Sequence, residues 1–480
     1  MNGQATLLIA IFVPVLGSFL LPAIGRISKW LRNLVALLLV ATPLALALKM
    51  FPGVLAGNIP KVFVPLPLGL NFALTGDSLA VFMAIVSSLV GSVIVLYSWD
   101  YINHYENQNE YYFMVVLFLG AMIGIIYAAS LVYLFVFWEI TALASWRLIG
   151  FLRTKEVVLK ADKAFLVTVF GALVMLVGFV LLYGQTGTFD LAAMKTALAG
   201  SPLSNLAVIC ILCGIFAKSA TLPLHTWLPD AGVAPSPVTA LLHAAVLVKI
   251  GVYVYARLFV ATFTVSEQWH TIVPVVAAAS ALLSAGAALI DTDLKRIIAF
   301  STISQIGFIF LGLSVGGAVG LAGGLLYLLM HGLAKGGLFL CAGIVEQNTH
   351  TKDIRKLGGL IRTMPVTAIA FLLCAFAVMG LPPFGGFFSK YLVITGALTA
   401  GKFWIALTFV VGAFLTLIYL LRVFSMVFLG EAQIPNKEGS PLMMFSVSTL
   451  AILSLASGIF ISFIANPVRL TAQQMLGGIR

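Results

Sequence analysis

Five ionisable side chains stand where an apolar sequence should exclude them. They are Glu139 in LFVFWEITALA, Lys218 in CGIFAKSATLP, Lys249 in HAAVLVKIGVYVY, Lys335 in MHGLAKGGLFL and Lys390 in GGFFSKYLVI. A charge at mid-bilayer costs about 2.5–3.5 kcal/mol on insertion scales, and groups retained there commonly mark an ion or proton path. One lysine and one glutamate could form a static pair that fixes helix packing. Four lysines against one central carboxylate leave three cations without a match in the chain. An amine kept from water holds its proton less tightly until an acid draws near, so a carboxylate that approaches and retreats loads and unloads it. Histidines extend the series. His331 and Lys335 are four apart and share a helix face, while His225 and His243 flank a proline-rich interruption. Imidazole titrates near neutrality and exchanges protons through either nitrogen. A lone membrane histidine is as often a packing residue; three interleaved with lysines read as a relay.

Prolines supply breaks beside these groups. Pro223 follows Lys218 by five residues, and Pro382 and Pro383 interrupt VMGLPPFGGFFSK ahead of Lys390. Proline removes a backbone donor and frees a carbonyl, which lipid tolerates only where protein or water meets the orphan. Broken helices at matching places in two halves of a transporter point to the ion path.

The elements that must position these residues follow from composition. Of 480 residues, 61% are hydrophobic and 9% charged, against about 25% charged in a soluble domain. The solvent for most of the chain is therefore lipid. The net charge of +11 is scattered with no basic run, which argues against nucleic acid as a partner. At about 20 apolar residues per crossing, the chain reads as an all-α polytopic membrane protein of about fourteen spans. These cover 5–24, 33–50, 77–98, 111–129, 131–151, 164–184, 204–228, 237–259, 271–290, 297–314, 317–345, 365–398, 403–428 and 442–464. Residues 51–76, with alternating KVFVPLPLGLNFAL, read as an extended external segment, and the first apolar run as a retained helix. The broken spans are the seventh and the twelfth. An interval of five spans suggests a repeat, and units of odd helix number must be inverted relative to each other. The expected divisions are 1–110 (spans one to three), 111–262 and 263–430 (two five-helix units) and 431–480 (span fourteen).

Counting Lys and Arg in alternate connections sets orientation. Fourteen fall around 26–32, 153–163, 295–296, 352–362 and 437, against seven on the other side, Lys49, Lys61, Lys195, Arg257, Lys402, Arg469 and Arg480. The first group is expected in the cytoplasm, with both termini outside a plasma membrane. Arg147 and Arg422 can snorkel to the cytoplasmic side. Cys210 and Cys213 have CxxC spacing, but no second pair completes a metal site. No nucleotide loop, cofactor motif, metal ligand set or nucleophile triad is visible, so no catalytic, cofactor or metal residue is assigned and any redox chemistry is expected in other chains.

LPLHTWLPDAGVAPSPVTALLHAAVLVKIGVY, TDLKRIIAFSTISQIGF, LMHGLAKGGLFLCAGIV and GLPPFGGFFSKYLV together resemble the antiporter-like, proton-conducting membrane subunits of respiratory complex I, Mrp-type cation/proton antiporters, group 4 membrane-bound hydrogenases and related ferredoxin-linked complexes. The resemblance runs from about residue 75 to 430. It implies fourteen helices, two inverted five-helix units and broken seventh and twelfth helices. It also implies Glu139 paired with Lys218, Lys249 as the central lysine, His331 and Lys335 along the eleventh helix, and Lys390 as the exit residue. Arg147 adds a cation where the family pattern has an uncharged residue, and it is placed to bias the Glu139 pair. From its length the chain is expected to be without the long lateral helix of the largest subtype. The expected function is proton translocation in a multisubunit redox-driven pump, the alternative a subunit of an Mrp-type Na⁺/H⁺ antiporter. Expected partners are neighbouring antiporter-like membrane subunits, a peripheral redox arm, H⁺ and Na⁺.

Overall fold

In lipid every backbone amide must find its partner inside the chain, and long apolar segments meet that demand as helices. The computed structural model describes residues 3–431 and 437–477; Arg480 and both chain ends used in the orientation count lie outside that range. Among the described residues, eleven helices are long and apolar enough to cross a membrane, and a bent pair makes up to twelve.

The bent pair is α1 (Gly3–Ser18) and α2 (Leu21–Ile27), which meet at 52°. Helix α3 (Lys29–Leu55) opens on a Ser28 cap. The 51–76 stretch then folds as a hairpin, β1 (Lys61–Val64) antiparallel to β2 (Phe72–Thr75) with Lys61 opposite Thr75, as its alternation suggests. Asp77 caps α4 (Ser78–Tyr101) by accepting from the Ala80 amide. Helices α5 (Gln108–Tyr127), α6 (Leu131–Ile149) and α7 (Lys155–Thr186) follow; α7 ends at Gly187, whose φ of +70° suits glycine. The short α8 (Leu191–Leu198) lies before α9 (Asn205–Lys218).

Beyond α9 the backbone leaves the helix and passes through α10 (Trp227–Asp230) to α11 (Ser236–Ala240). A π turn at residues 241–245 carries the chain into α12 (Leu247–Tyr255), and a second π turn spans 256–262. The second half contains α13 (Trp269–Ile290), α14 (Leu294–Ser314), α15 (Gly317–Thr349), α16 (Pro365–Met379), α17 (Gly385–Thr399), α18 (Phe403–Phe428), α19 (Pro441–Ile459) and α20 (Ile461–Met475).

Burial ranks these helices. The apolar stretches of α14 and α15 are 94% enclosed, whereas that of α3 is 28% enclosed. Helix α7 turns Leu166, Phe170, Leu173 and Val177 outward, the side chains lipid accepts. Small residues let the inner helices touch: a Cβ on Gly312 of α14 would lie 2.8 Å from the Gly324 Cα of α15. Most expected ends hold to within about five residues, but α7 begins nine residues before the expected 164 and α9 ends ten before the expected 228; the shift with most consequence is in α15, which runs to Thr349 and so carries Glu346.

Candidate functional site

Both breaks lie beside a buried lysine, and each lysine donates to a helix carbonyl. Lys218 is the last residue of α9, fully buried, and its ammonium donates to the Trp138 carbonyl of α6 at 3.2 Å. It also lies 5.2 Å from the centre of the Trp138 ring. The Ala217 carbonyl freed by the break accepts from the Trp227 indole at 3.0 Å. Lys390 sits on α17 and reaches back across residues 380–384 to the end of α16, donating to the carbonyls of Val378 (2.8 Å) and Met379 (3.0 Å). A helix C-terminus carries roughly half a negative charge, so it favours a cation. Each break includes a cis peptide, Leu222–Pro223 and Pro382–Pro383.

Glu139 follows Trp138 on α6, yet it forms no ion pair with Lys218 among the described residues; the Trp138 carbonyl holds the ammonium instead. One glutamate oxygen is buried without a hydrogen-bond partner. Glu139 shares an outward face of α6 with Val136 and Leu143, which are 46% and 54% exposed. Arg147 does not reach this carboxylate. Two turns further along α6, it pairs with Glu110 of α5, which also binds Arg153 at 2.5 Å. Any bias of Arg147 on the Glu139 pair does not act through a salt bridge to that carboxylate among the described residues.

At the centre, Lys249, His243 and His331 are almost completely buried, and among the described residues none of their five side-chain nitrogens has a hydrogen-bond partner. The His243 ring lies 4.3 Å from that of Phe339. The Lys249 ammonium rests against Gly332, where an added Cβ would stand 2.4 Å from it. Lys335, one turn beyond His331 on α15, donates to the Ser301 hydroxyl and to the Ile298 carbonyl (3.3 Å). His225 stands apart from this row. It lies half-buried in the first break, with Nδ1 3.3 Å from the Pro223 carbonyl.

Two other buried cations, Arg257 and Lys295, are matched by carboxylates, while buried Arg32 is held by the amide oxygens of Asn33, Gln108 and Asn109. Arg257 pairs with Asp77 and accepts help from the Tyr253 hydroxyl, which is 3.1 Å from its Nε. Lys295, read from sequence as a loop cation, is 2% exposed and pairs with Glu346 at 2.6 Å. Asp230 at the end of α10 joins Lys163 (2.7 Å) and Arg296 (2.9 Å). Nine of the ten ion pairs among the described residues involve connections from the cation-rich side. In the loop after α15, the Arg355 guanidinium bonded to Asp353 holds that carboxyl down at about 2.

Sequence reading missed a polar cluster inside α14, α15 and α18. Ser301, Gln305, Tyr327, Thr416 and Tyr419 are buried and bonded to one another between Lys335 and Lys390. The signal was STISQ within an otherwise apolar span. A cavity of about 940 Å³ reaches Lys295 and Glu346 at one end of the bundle, and one of about 900 Å³ reaches Asp77 and Arg257. Among the described residues no three His, Cys, Asp or Glu side chains converge as metal ligands.

Residues 128–416 match the family described as NADH:quinone oxidoreductase/Mrp antiporter, TM, and residues 65–112 match NADH-ubiquinone oxidoreductase (complex I), chain 5 N-terminus. The Na⁺/H⁺ antiporter subunit A1 of Staphylococcus aureus (strain MRSA252) is 32% identical across 96% of this chain. The match covers 62% of that relative's length. Among solved structures, a chain of the Mrp complex from Dietzia sp. DQ12-45-1b superposes with a TM-score of 0.89 at 25% identity, covering 98% of each chain. The membrane-bound sulfane sulfur reductase, an archaeal respiratory membrane complex, gives 0.90 at 24% identity over 98% of each chain. Respiratory complex I from Thermus thermophilus gives 0.83 at 24% over 99% of this chain and 100% of that one. These last two establish a shared fold.

Proposed function

The chain belongs to the NADH:quinone oxidoreductase/Mrp antiporter transmembrane family, and from that premise we propose that it conducts protons as one membrane subunit of a multisubunit redox-driven pump. The path we assign runs through Glu139, Lys218, Lys249, His243, His331, Lys335 and Lys390, with His225 at its margin. One observation carries this reading. The four lysines are at most 5% exposed, and none takes part in an ion pair among the described residues, although the other buried cations with charged neighbours do. Carboxylates hold the protons of Arg257 and Lys295 in place; among the described residues no counterion does so for these four lysines.

The five unpartnered nitrogens at the centre belong to the same reading. Buried polar groups in native proteins are satisfied by protein or by water, and water is the partner that also carries protons. We take α9 with its break, and α16 with α17, as the seventh and twelfth crossings. Added to the eleven spans and the bent pair, they bring the count to fourteen, with inverted units at 111–262 and 263–430. The cation-rich connections face the cytoplasm in this scheme and both termini lie outside a plasma membrane.

Moving a charge across 100 mV costs about 2.3 kcal/mol, and the energy must come from a partner. Glu139 is placed to receive it, since a mid-membrane carboxylate on an outward face needs a neighbouring subunit to cover it. Its approach to Lys218, past the Trp138 carbonyl, is the coupling step we assign. The 32% identity to an Na⁺/H⁺ antiporter subunit favours a second reading, in which that partner set exchanges Na⁺ for H⁺.

The assembled complex, purified through this chain and reconstituted with a pH-sensitive dye, tests both. Lys218→Ala and Glu139→Ala should abolish coupled proton movement; full transport in either refutes the path. Dependence on an electron donor supports the redox pump, and Na⁺-driven proton movement without one supports the exchanger.

A further inference from the structure

A bonded string of polar side chains runs from Lys335 to Tyr327, whose ring faces Lys390, and one link in it is of the wrong chemistry to carry a proton. The Lys335 ammonium donates to the Ser301 hydroxyl, which lies 2.6 Å from the Tyr419 hydroxyl of α18. Gln305 of α14 donates through Nε2 to Tyr419 (3.4 Å) and Thr416 (3.3 Å). The Tyr327 hydroxyl of α15 donates to Oε1 at the other end of the same amide. The Tyr327 ring centre is 5.7 Å from the Lys390 ammonium. All five linking residues are at most 1% exposed.

A hydroxyl accepts one proton and releases another, so Ser301, Tyr419 and Tyr327 can each hand charge on. A primary amide separates the roles: the oxygen only accepts and the nitrogen only donates. Passing a proton through it would leave an imidic acid, with hydrogen added to oxygen and lost from nitrogen. That holds whichever end of the amide carries the nitrogen. The string therefore conducts as far as Gln305 and stops.

We propose that Gln305 is an insulating gate between Lys335 and Lys390. It occupies the gap between two phenols and thereby excludes water from it. Transfer requires the amide to leave and a water molecule to join Tyr419 to Tyr327. In the open state Ser301 takes a proton from Lys335 and gives its own to Tyr419. Tyr419 gives its proton to the water and the water to Tyr327; Tyr327 gives its own to a second water, which protonates the neutral amine of Lys390. Only O–H and N–H bonds form and break, and one proton crosses. Gln305 is a positioning residue in this scheme; it never carries the proton.

The inference rests on the proton-conducting reading, and its test separates the two. Passive proton leak is measured in proteoliposomes of the assembled complex, without electron donor or Na⁺ gradient. Gln305→Ala opens a space lined by hydroxyls, and Gln305→Glu keeps the shape while supplying a group that both accepts and releases protons. Both should raise the leak at least about tenfold, and adding Lys390→Met should remove the increase. Should Gln305→Ala fail to assemble, the isosteric Gln305→Glu decides alone. Leak at the wild-type level in assembled variants, or an increase that survives Lys390→Met, overturns the gate. If the Gln305 variants are silent while Lys218→Ala abolishes coupled transport, the gate falls and the conducting path stands. If Lys218→Ala transports fully, the path itself falls.

Discussion

Removing Asp77 should destabilise the protein through a charge left behind. The Arg257 side chain is 6% exposed, and both Asp77 oxygens accept from its guanidinium. Its remaining nearby acceptor is the Tyr253 hydroxyl, 2.9 Å from Nη2. Breaking a buried pair by deleting one partner costs about 3–5 kcal/mol. Asp77 is 26% exposed, so water relieves part of this and the lower end applies. The same carboxylate caps α4 by accepting from the Ala80 amide at 3.0 Å, worth about 1 kcal/mol. Asp77→Ala should therefore lose about 4 kcal/mol in equilibrium SDS unfolding from mixed micelles. Asp77→Asn keeps the cap and a neutral hydrogen bond, and should lose about half as much. Arg257→Met combined with Asp77→Ala removes both charges and should recover all but the cap. The reasoning is refuted if the double variant is as unstable as the sum of its single changes, because the cost would then lie in lost packing.

Two further outcomes follow from the same contrast between matched and free cations. Lys249 has no hydrogen-bond or ion-pair partner among the described residues, so Lys249→Met should unfold no earlier than wild type by the SDS assay while losing transport. Lys295→Met, which strips Glu346 of its partner, should unfold earlier by about 1–3 kcal/mol. In the loop after α15, Asp353 is held at about 2 by Arg355, below the usual 3.8. A depressed carboxyl stabilises the folded loop above the unfolded value and loses that support as pH falls through the folded one. Exchange protection of the Arg355 amide, which donates to Asp353, should be constant down to about pH 4 and fall as pH approaches 2.

The helical spans were legible because lipid leaves apolar length as nearly the sole requirement for crossing. The breaks were legible from Pro223 and Pro382, whose missing amides no lipid can excuse. What the sequence hid was direction. Lys295 lies beside a span end like any loop cation, and its burial depends on α15 continuing past residue 345 to bring Glu346 against it. Arg257 and Arg147 were likewise assigned by position along the chain, whereas their partners, Asp77 and Glu110, arrive from helices far away in sequence. Ser301 and Gln305 look like the mild polar content of any membrane helix. Only the enclosure of α14 turns them into a bonded bridge, and α18 supplies Tyr419 from over a hundred residues later. The pairing of Glu139 with Lys218 was expected as contact; Trp138, one residue away, supplies the acceptor instead.

The C-terminal end of α16 has a mechanical consequence. Half a unit charge at about 3 Å from an ammonium is worth roughly 3 kcal/mol at an effective dielectric of 20, and roughly 2 at 5 Å. A half-helix that slides by the width of a single atom thus alters the local field at Lys390 by about the strength of a hydrogen bond. An unbroken rod buries its terminal dipole at the membrane edge, where water mutes it. Snapping the rod moves that pole indoors, so tilting a few residues of backbone becomes an electrical signal.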